Sequence, residues 1–129
     1  MGKNNLLKTI TMKKITLILL TLLTITSCSS QDCKELPSSY NSYKDALTEI
    51  KSSDFKLEDS VNTSRSSVIE SAYYLSCDGK IGYLIIEIRN TEYIYQNVPI
   101  SVWDSFINAD SYGRIYNRNI KGNYKLKIN

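Results

Sequence analysis

The sequence predicts an α+β domain: a small antiparallel β-meander of three strands, with a fourth left open, one N-terminal helix and two C-terminal helices. Three observations predict it. Two runs rich in Ile, Val and Tyr, Val68 to Cys77 and Lys80 to Arg89, are split by Asp78-Gly79. Apolar residues recur at helical spacing both before and after these runs. The order is helix, strands, helices, without the strand–helix alternation that builds a parallel sheet.

Taken in order, Pro37 bars a helix from running through residues 34–38. Tyr40, Tyr43, Ala46, Leu47 and Ile50 then make one face of a short amphipathic helix, with Ser38 or Ser39 as its N-cap. Ser52-Ser53-Asp54 ends it. Phe55, Leu57 and Val61 fall at even spacing, which is the signal for the open fourth strand. Asp78-Gly79 suits a type I′ hairpin turn, because both positions tolerate positive φ. In the second run Leu84, Ile86 and Ile88 share the face expected in the core, and Ile85, Glu87 and Arg89 share the other. Asn90-Thr91 turns the chain into Tyr93-Ile94-Tyr95, the third strand. Pro99 suits a first helical turn, where its missing N–H costs nothing. Val102, Trp103, Phe106 and Ile107 follow on one side, with Trp103 reading as core. Ser111 is placed to cap a last helix, with Tyr112, Ile115, Tyr116 and Asn119 on one face and Arg114, Arg118 and Lys121 on the other.

The first residues belong to a different argument. With 129 residues, one domain is expected once any targeting segment is set aside. Lys13-Lys14 precede Ile15 to Thr26, an uncharged run of 12 residues. A membrane-spanning helix needs about 20 apolar residues, so this run reads as the core of a signal peptide. Ile25-Thr26-Ser27-Cys28 resembles the bacterial lipobox: aliphatic, small, small, cysteine. That resemblance implies cleavage before Cys28 and lipidation of its thiol, whether translation starts at Met1 or Met12. The expected organisation is 1–27 signal peptide, 28–37 lipidated tether, 38–63 N-terminal helix and open strand, 64–124 domain, 125–129 basic tail. The expected location is the cell envelope, membrane-anchored on the periplasmic or extracellular face.

Removing the signal changes the charge. The whole chain carries 16 basic and 13 acidic residues, net +3. Lys3, Lys8, Lys13 and Lys14 precede Cys28 and no acid does, so 12 bases face 13 acids and the mature chain is −1. The basic character of the precursor is therefore no argument for nucleic-acid affinity. Acylation of Cys28 leaves Cys33 and Cys77. Parity and an oxidising compartment point to a disulfide between them, with two free thiols as the alternative.

Six short segments appear in a telling order: Ser66-Ser67-Val68-Ile69, Tyr93-Ile94-Tyr95, Val98-Pro99 with Val102-Trp103, Ala109-Asp110-Ser111-Tyr112-Gly113, Asn117 to Ile120, and Tyr124. Together they resemble the KTSC domain, a short module named for the C-terminus of some lysyl-tRNA synthetases and also found alone in bacterial proteins. The resemblance runs from about Ser64 to Tyr124. It implies the meander and paired helices, and it carries the family's suggested role of RNA binding. An exported lipoprotein seldom meets cellular RNA, so nucleic acid is not the expected partner. The family often has glycine between its second and third strands, where this chain has Asn90-Thr91-Glu92.

The residue inventory narrows the chemistry. There is no histidine, which removes Ser-His-Asp and Cys-His catalysis in their usual forms. No phosphate-binding glycine loop, dinucleotide fingerprint or calcium loop is present. The chain reads as a non-enzyme needing no cofactor or metal, a binding or interaction module on a membrane anchor. Candidate binding residues are Tyr93 and Tyr95, as an aromatic platform or as packing, and the stripe of Arg114, Arg118 and Lys121. After Asp110 there are five basic residues and no acid, so the stripe suits anionic headgroups or an acidic partner, or is a solvated face. Ser111-Tyr112-Gly113 is either an anion cradle or a helix cap.

Overall fold

In the computed structural model, which describes residues 30–129, the first described elements are β1 (Gln31–Asp32) and a 3-10 turn (Cys33–Glu35). Helix α1 (Tyr43–Lys51) follows, then β2 (Ser53–Asp54), β3 (Leu57–Val61), β4 (Ile69–Ser76), β5 (Ile81–Ile88) and β6 (Thr91–Pro99). Helix α2 (Ile100–Ile107) and helix α3 (Tyr112–Ile115) complete it, α3 running on as a π turn, Tyr116–Ile120. Cys28 and the expected signal peptide lie outside the described residues. The architecture is α+β. A four-stranded antiparallel sheet has the order β3-β4-β5-β6, and a separate parallel pair joins β1 to β2. The open fourth strand is thus real, pairing Leu57 with Ser76 and Val61 with Ala72.

Both faces of the sheet are covered. On one, Tyr74, Leu84, Ile86 and Val98 pack against Trp103, Phe106, Tyr112 and Ile120 of the C-terminal helices. On the other, Leu75, Ile85 and Ile94 pack against Tyr40, Ala46 and Ile50. Ile85, expected on the outer face, is therefore fully buried because α1 lies over it. Lys51 of α1 donates to the Glu92 carboxylate at 2.5 and 2.7 Å, and Tyr73 donates to it at 2.9 Å. Burial raises the Glu92 carboxyl, but the hydrogen bonds from Lys51 and Tyr73 outweigh that and hold it below the usual carboxylate range.

Local chemistry moves several boundaries. The N-cap of α1 is Ser42, not Ser38 or Ser39: its hydroxyl accepts from the Asp45 N–H at 3.1 Å. Tyr40, freed from the helix, bridges to Ile128 instead. Asp78-Gly79 is not a type I′ pair, since only Gly79 has positive φ, at 75°. The Asp78 carboxylate accepts from the N–H groups of Lys80 and Ile81, and these bonds set a longer turn. The type I′ signature falls instead on Arg89 and Asn90, at φ 51° and 59°, between the paired Ile88 and Thr91. Neither residue is glycine, so the turn is strained. Replacing the pair by Asn-Gly is expected to stabilise the domain by about 1 kcal/mol, read from the midpoint of urea unfolding.

The last helix departs from α periodicity. Its π turn inserts a residue, with the Lys121 N–H donating to the Tyr116 carbonyl at 2.9 Å. Ile120 thereby takes the buried position that 3.6-residue spacing assigns to Asn119. Residues 125–129, expected as a tail, lie along the fold: Tyr95 bridges to Lys125, and the Tyr40 N–H donates to the Lys127 carbonyl at 3.0 Å. Buried Gln96 fastens this seam, donating to the Ser38 carbonyl and accepting from the Lys127 N–H, both at 3.0 Å.

Candidate functional site

Two loops that meet at one end of the sheet build the site. The first precedes β4. Asn62 accepts from the Ser64 N–H at 2.9 Å, and the Thr63 hydroxyl donates to the Glu70 carbonyl at 2.7 Å. The Ser66 hydroxyl accepts from the N–H groups of Val68 and Ile69, at 3.2 and 2.9 Å. Such side-chain-to-backbone bonds fix a loop that has no ladder of its own. The second loop joins α2 to α3. The Ala109 N–H donates to the Phe106 carbonyl at 3.1 Å, and Ser111 caps α3 by accepting from the Arg114 N–H at 3.3 Å.

Arg65 spans the two loops. Its guanidinium lies 4.9 Å from the centre of the Tyr112 ring and donates to the Tyr112 hydroxyl at 2.9 Å and to the Ala109 carbonyl at 3.4 Å. The bond to Tyr112, and then the charge interaction with it, raise the guanidinium pKa further, so Arg65 is a fixed positive charge. Beneath it, residues 65–68 and 110–113 enclose a cleft of about 180 Å³. A second cleft of about 250 Å³ shares Asp110 and Ser111 as its wall and is lined by Ser105, Asn108, Arg114 and Arg118. Arg65, Arg114 and Arg118 are all exposed. Among the described residues the ion pair within 4.0 Å is Lys51–Glu92, so none of these three guanidinium groups is neutralised by a close carboxylate.

The residues singled out in the sequence are dispersed. Arg114 and Arg118 meet at the second cleft, whereas Lys121 follows the π turn, exposed and outside both clefts. Tyr93 and Tyr95 do not form a shared platform. Tyr93 is 41% exposed, while Tyr95 is 8% exposed and its hydroxyl meets that of Tyr116 at 2.7 Å within the core. Ser111 acts as a cap, and the Cβ position of Gly113 faces open space. Cys33 and Cys77 are joined as a disulfide, with Cα atoms 5.9 Å apart, and line a cleft of about 400 Å³ with Lys34, Phe55 and Lys56. Asp32 lies beside the two sulfurs, but these are bonded to each other and offer no thiolate to a metal.

Sequence reasoning missed Arg65. A lone arginine in a loop has no periodicity to betray it, and its only signal is its position directly before Ser66-Ser67. Asp59 was missed as well: its carboxylate accepts from the Trp103 indole N–H at 2.8 Å.

No curated protein and no solved structure matches the chain. Arg65, the loop between α2 and α3, the residues lining both clefts and the late Tyr124 fall inside one family match: the model of the KTSC domain covers residues 65–124.

Proposed function

We propose that this chain is a membrane-anchored lipoprotein of the cell envelope whose folded part is a non-catalytic binding module, with the Arg65 cleft and its Arg114–Arg118 neighbour as the binding face. The observation that carries the binding reading is the set of three exposed guanidinium groups around two adjoining clefts, none of them ion-paired within 4.0 Å among the described residues. Arginine forks without a close carboxylate suit a partner that brings carboxylate or phosphate oxygens. The non-catalytic reading is supported by what lines the first cleft: its ionisable side chains are Arg65, Asp110 and Tyr112, with no second carboxylate to serve as acid or base. Anchoring is supported by Ile25-Thr26-Ser27-Cys28 behind a short uncharged run.

The test is capture of partners from the native envelope by full-length protein. Cys28→Ala is expected to abolish incorporation of labelled fatty acid and leave the precursor unprocessed. Arg65→Glu with Arg114→Glu and Arg118→Glu is expected to lose the captured partners while keeping the label. Labelled Cys28→Ala protein would overturn the anchor, and unchanged capture by the triple variant would overturn the binding face. The same arginines favour a second reading, nucleic-acid binding, which predicts RNA affinity falling with salt at a log–log slope of about −0.7 per neutralised phosphate. With a mature net charge of −1, negligible RNA binding at physiological salt is the expected result.

A further inference from the structure

The disulfide does more than close a loop, because Cys33 stands only five residues after Cys28. Gln31 and Asp32 are paired to Ser53 and Asp54, the Ser30 hydroxyl donates to Asp54, and Cys33 is bonded to Cys77. The chain is therefore fixed to the domain from Ser30 onward. From Cys28 to Gln31 is three Cα steps, at most about 11 Å even when fully extended. An anchor at Cys28 cannot hold this domain at arm's length.

The sheet has two ends, and Cys33 lies at the one that carries the disulfide. Ser76, next to Cys77, pairs with Gly82, while Ile69 pairs with Ile88 at the other end. Eight residues of β4 separate the ends, about 23 Å at the usual strand rise. Ser66 bonds the Ile69 N–H, so the Arg65 cleft belongs to the end away from the disulfide. Around the disulfide, Lys34, Phe55 and Lys56 line one cleft, and Phe55 and Ile81 line a neighbouring one with Cys33 and Cys77. Ile81, at the start of β5, is 50% exposed and offers an apolar side chain beside these lysines.

We infer that the short tether and the Cys33–Cys77 bond seat this domain on the lipid surface carrying its anchor, through Lys34, Phe55, Lys56, Lys80 and Ile81, with the Arg65 cleft turned outward. The inference rests on the lipoprotein reading above. Contact is imposed by the tether rather than by charge: Asp32 and Asp54 line the same cleft as Lys34 and Lys56, and Glu35 and Asp78 lie within two residues of Lys34 and Lys80 in the chain. Neutral and anionic surfaces are therefore equivalent. Apolar Ile81 and the lysine stems lie against the headgroup layer, where long basic side chains keep their charges wet. A ligand arriving from solution then meets the two clefts unobstructed.

Full-length lipidated protein in phosphatidylcholine vesicles, doped with a lipid that carries a photoreactive headgroup, tests this. Flotation reports anchoring, and mass spectrometry of the cross-linked peptides reports orientation. Adducts are expected to be several-fold enriched on residues 33–36, 55–57 and 79–82 over residues 64–68, 88–92 and 110–118, and the pattern is expected to persist when phosphatidylglycerol is added. A long Gly-Ser insertion between Ser29 and Ser30 lengthens the tether without touching the fold and is expected to erase the enrichment while flotation persists. Cys33→Ser with Cys77→Ser is expected to weaken it. Even adducts, or adducts centred on Arg114 and Arg118, with normal flotation would overturn the orientation alone. Failure of the wild-type protein to float would remove the anchor and the orientation together.

Discussion

Trp103→Ala is expected to lower the unfolding free energy by about 4 kcal/mol, within the 3–5 kcal/mol that truncating a buried tryptophan costs. Trp103 is fully buried, with its ring 5.8 Å from both Tyr74 and Phe106 in stacked arrangements. Its indole N–H is also the donor to Asp59 on β3, so truncation opens a cavity and leaves that carboxylate without its partner. A domain of about 100 residues has only about 5–15 kcal/mol in hand, so this variant should populate the unfolded state visibly at 37 °C. Trp103→Phe separates the two contributions: it keeps an aromatic ring and loses the hydrogen bond, at an expected cost of about 1–2 kcal/mol. Trp103 is the sole tryptophan. Fluorescence is lost with it, and the comparison needs urea unfolding followed by far-ultraviolet circular dichroism. A change below about 1 kcal/mol for the alanine variant would contradict the packing described.

Breaking the disulfide is the second large effect. Cys33 and Cys77 are separated by 44 residues, and closing such a loop in the unfolded chain stabilises by about 4 kcal/mol in the chain-entropy treatment. Cys33→Ser with Cys77→Ser is expected to depress the thermal midpoint by about 20 °C for a domain of this size. A reductant is expected to do the same to the wild-type protein and nothing to the double variant, which isolates the bond from the serines themselves. An unchanged midpoint on reduction would show that the bond does not constrain the unfolded chain.

What could be read from the sequence follows from which signals are local. The strands announce themselves through period-two runs and turn residues, and the edge strand through Leu57 and Val61. The run Leu84-Ile85-Ile86 also carried a clue to the two-sided core, since an unbroken apolar run is what a strand covered on both faces requires. The type I′ turn was misplaced because Asp78-Gly79 is the stronger dipeptide in isolation. In the fold the Asp78 side chain satisfies backbone N–H groups and leaves only Gly79 at positive φ. The π turn was illegible because helical periodicity presumes 3.6 residues per turn, and only burial of Ile120 in place of Asn119 selects the extra residue. The Arg65 cleft needs two loops far apart in sequence to meet. Its individual residues look like any serine-rich loop and helix cap until the sheet sets them side by side.

The seam between Tyr40 and residues 127–129 has a consequence for timing. The Tyr40 N–H donates to the Lys127 carbonyl, and the Asn129 N–H donates back to the Tyr40 carbonyl at 2.9 Å. Tyr40 and residues 127–129, nearly 90 positions apart, thus share one hydrogen-bonded edge, with Gln96 stitched between them. Contacts so distant in sequence form late, after the loop-closure entropy between them has been overcome. A polypeptide whose residues 127–129 are still held in a ribosome or a translocation pore cannot complete this edge. The second hydrophobic face of the sheet then waits, partly uncovered, until residues 127–129 are free to join it.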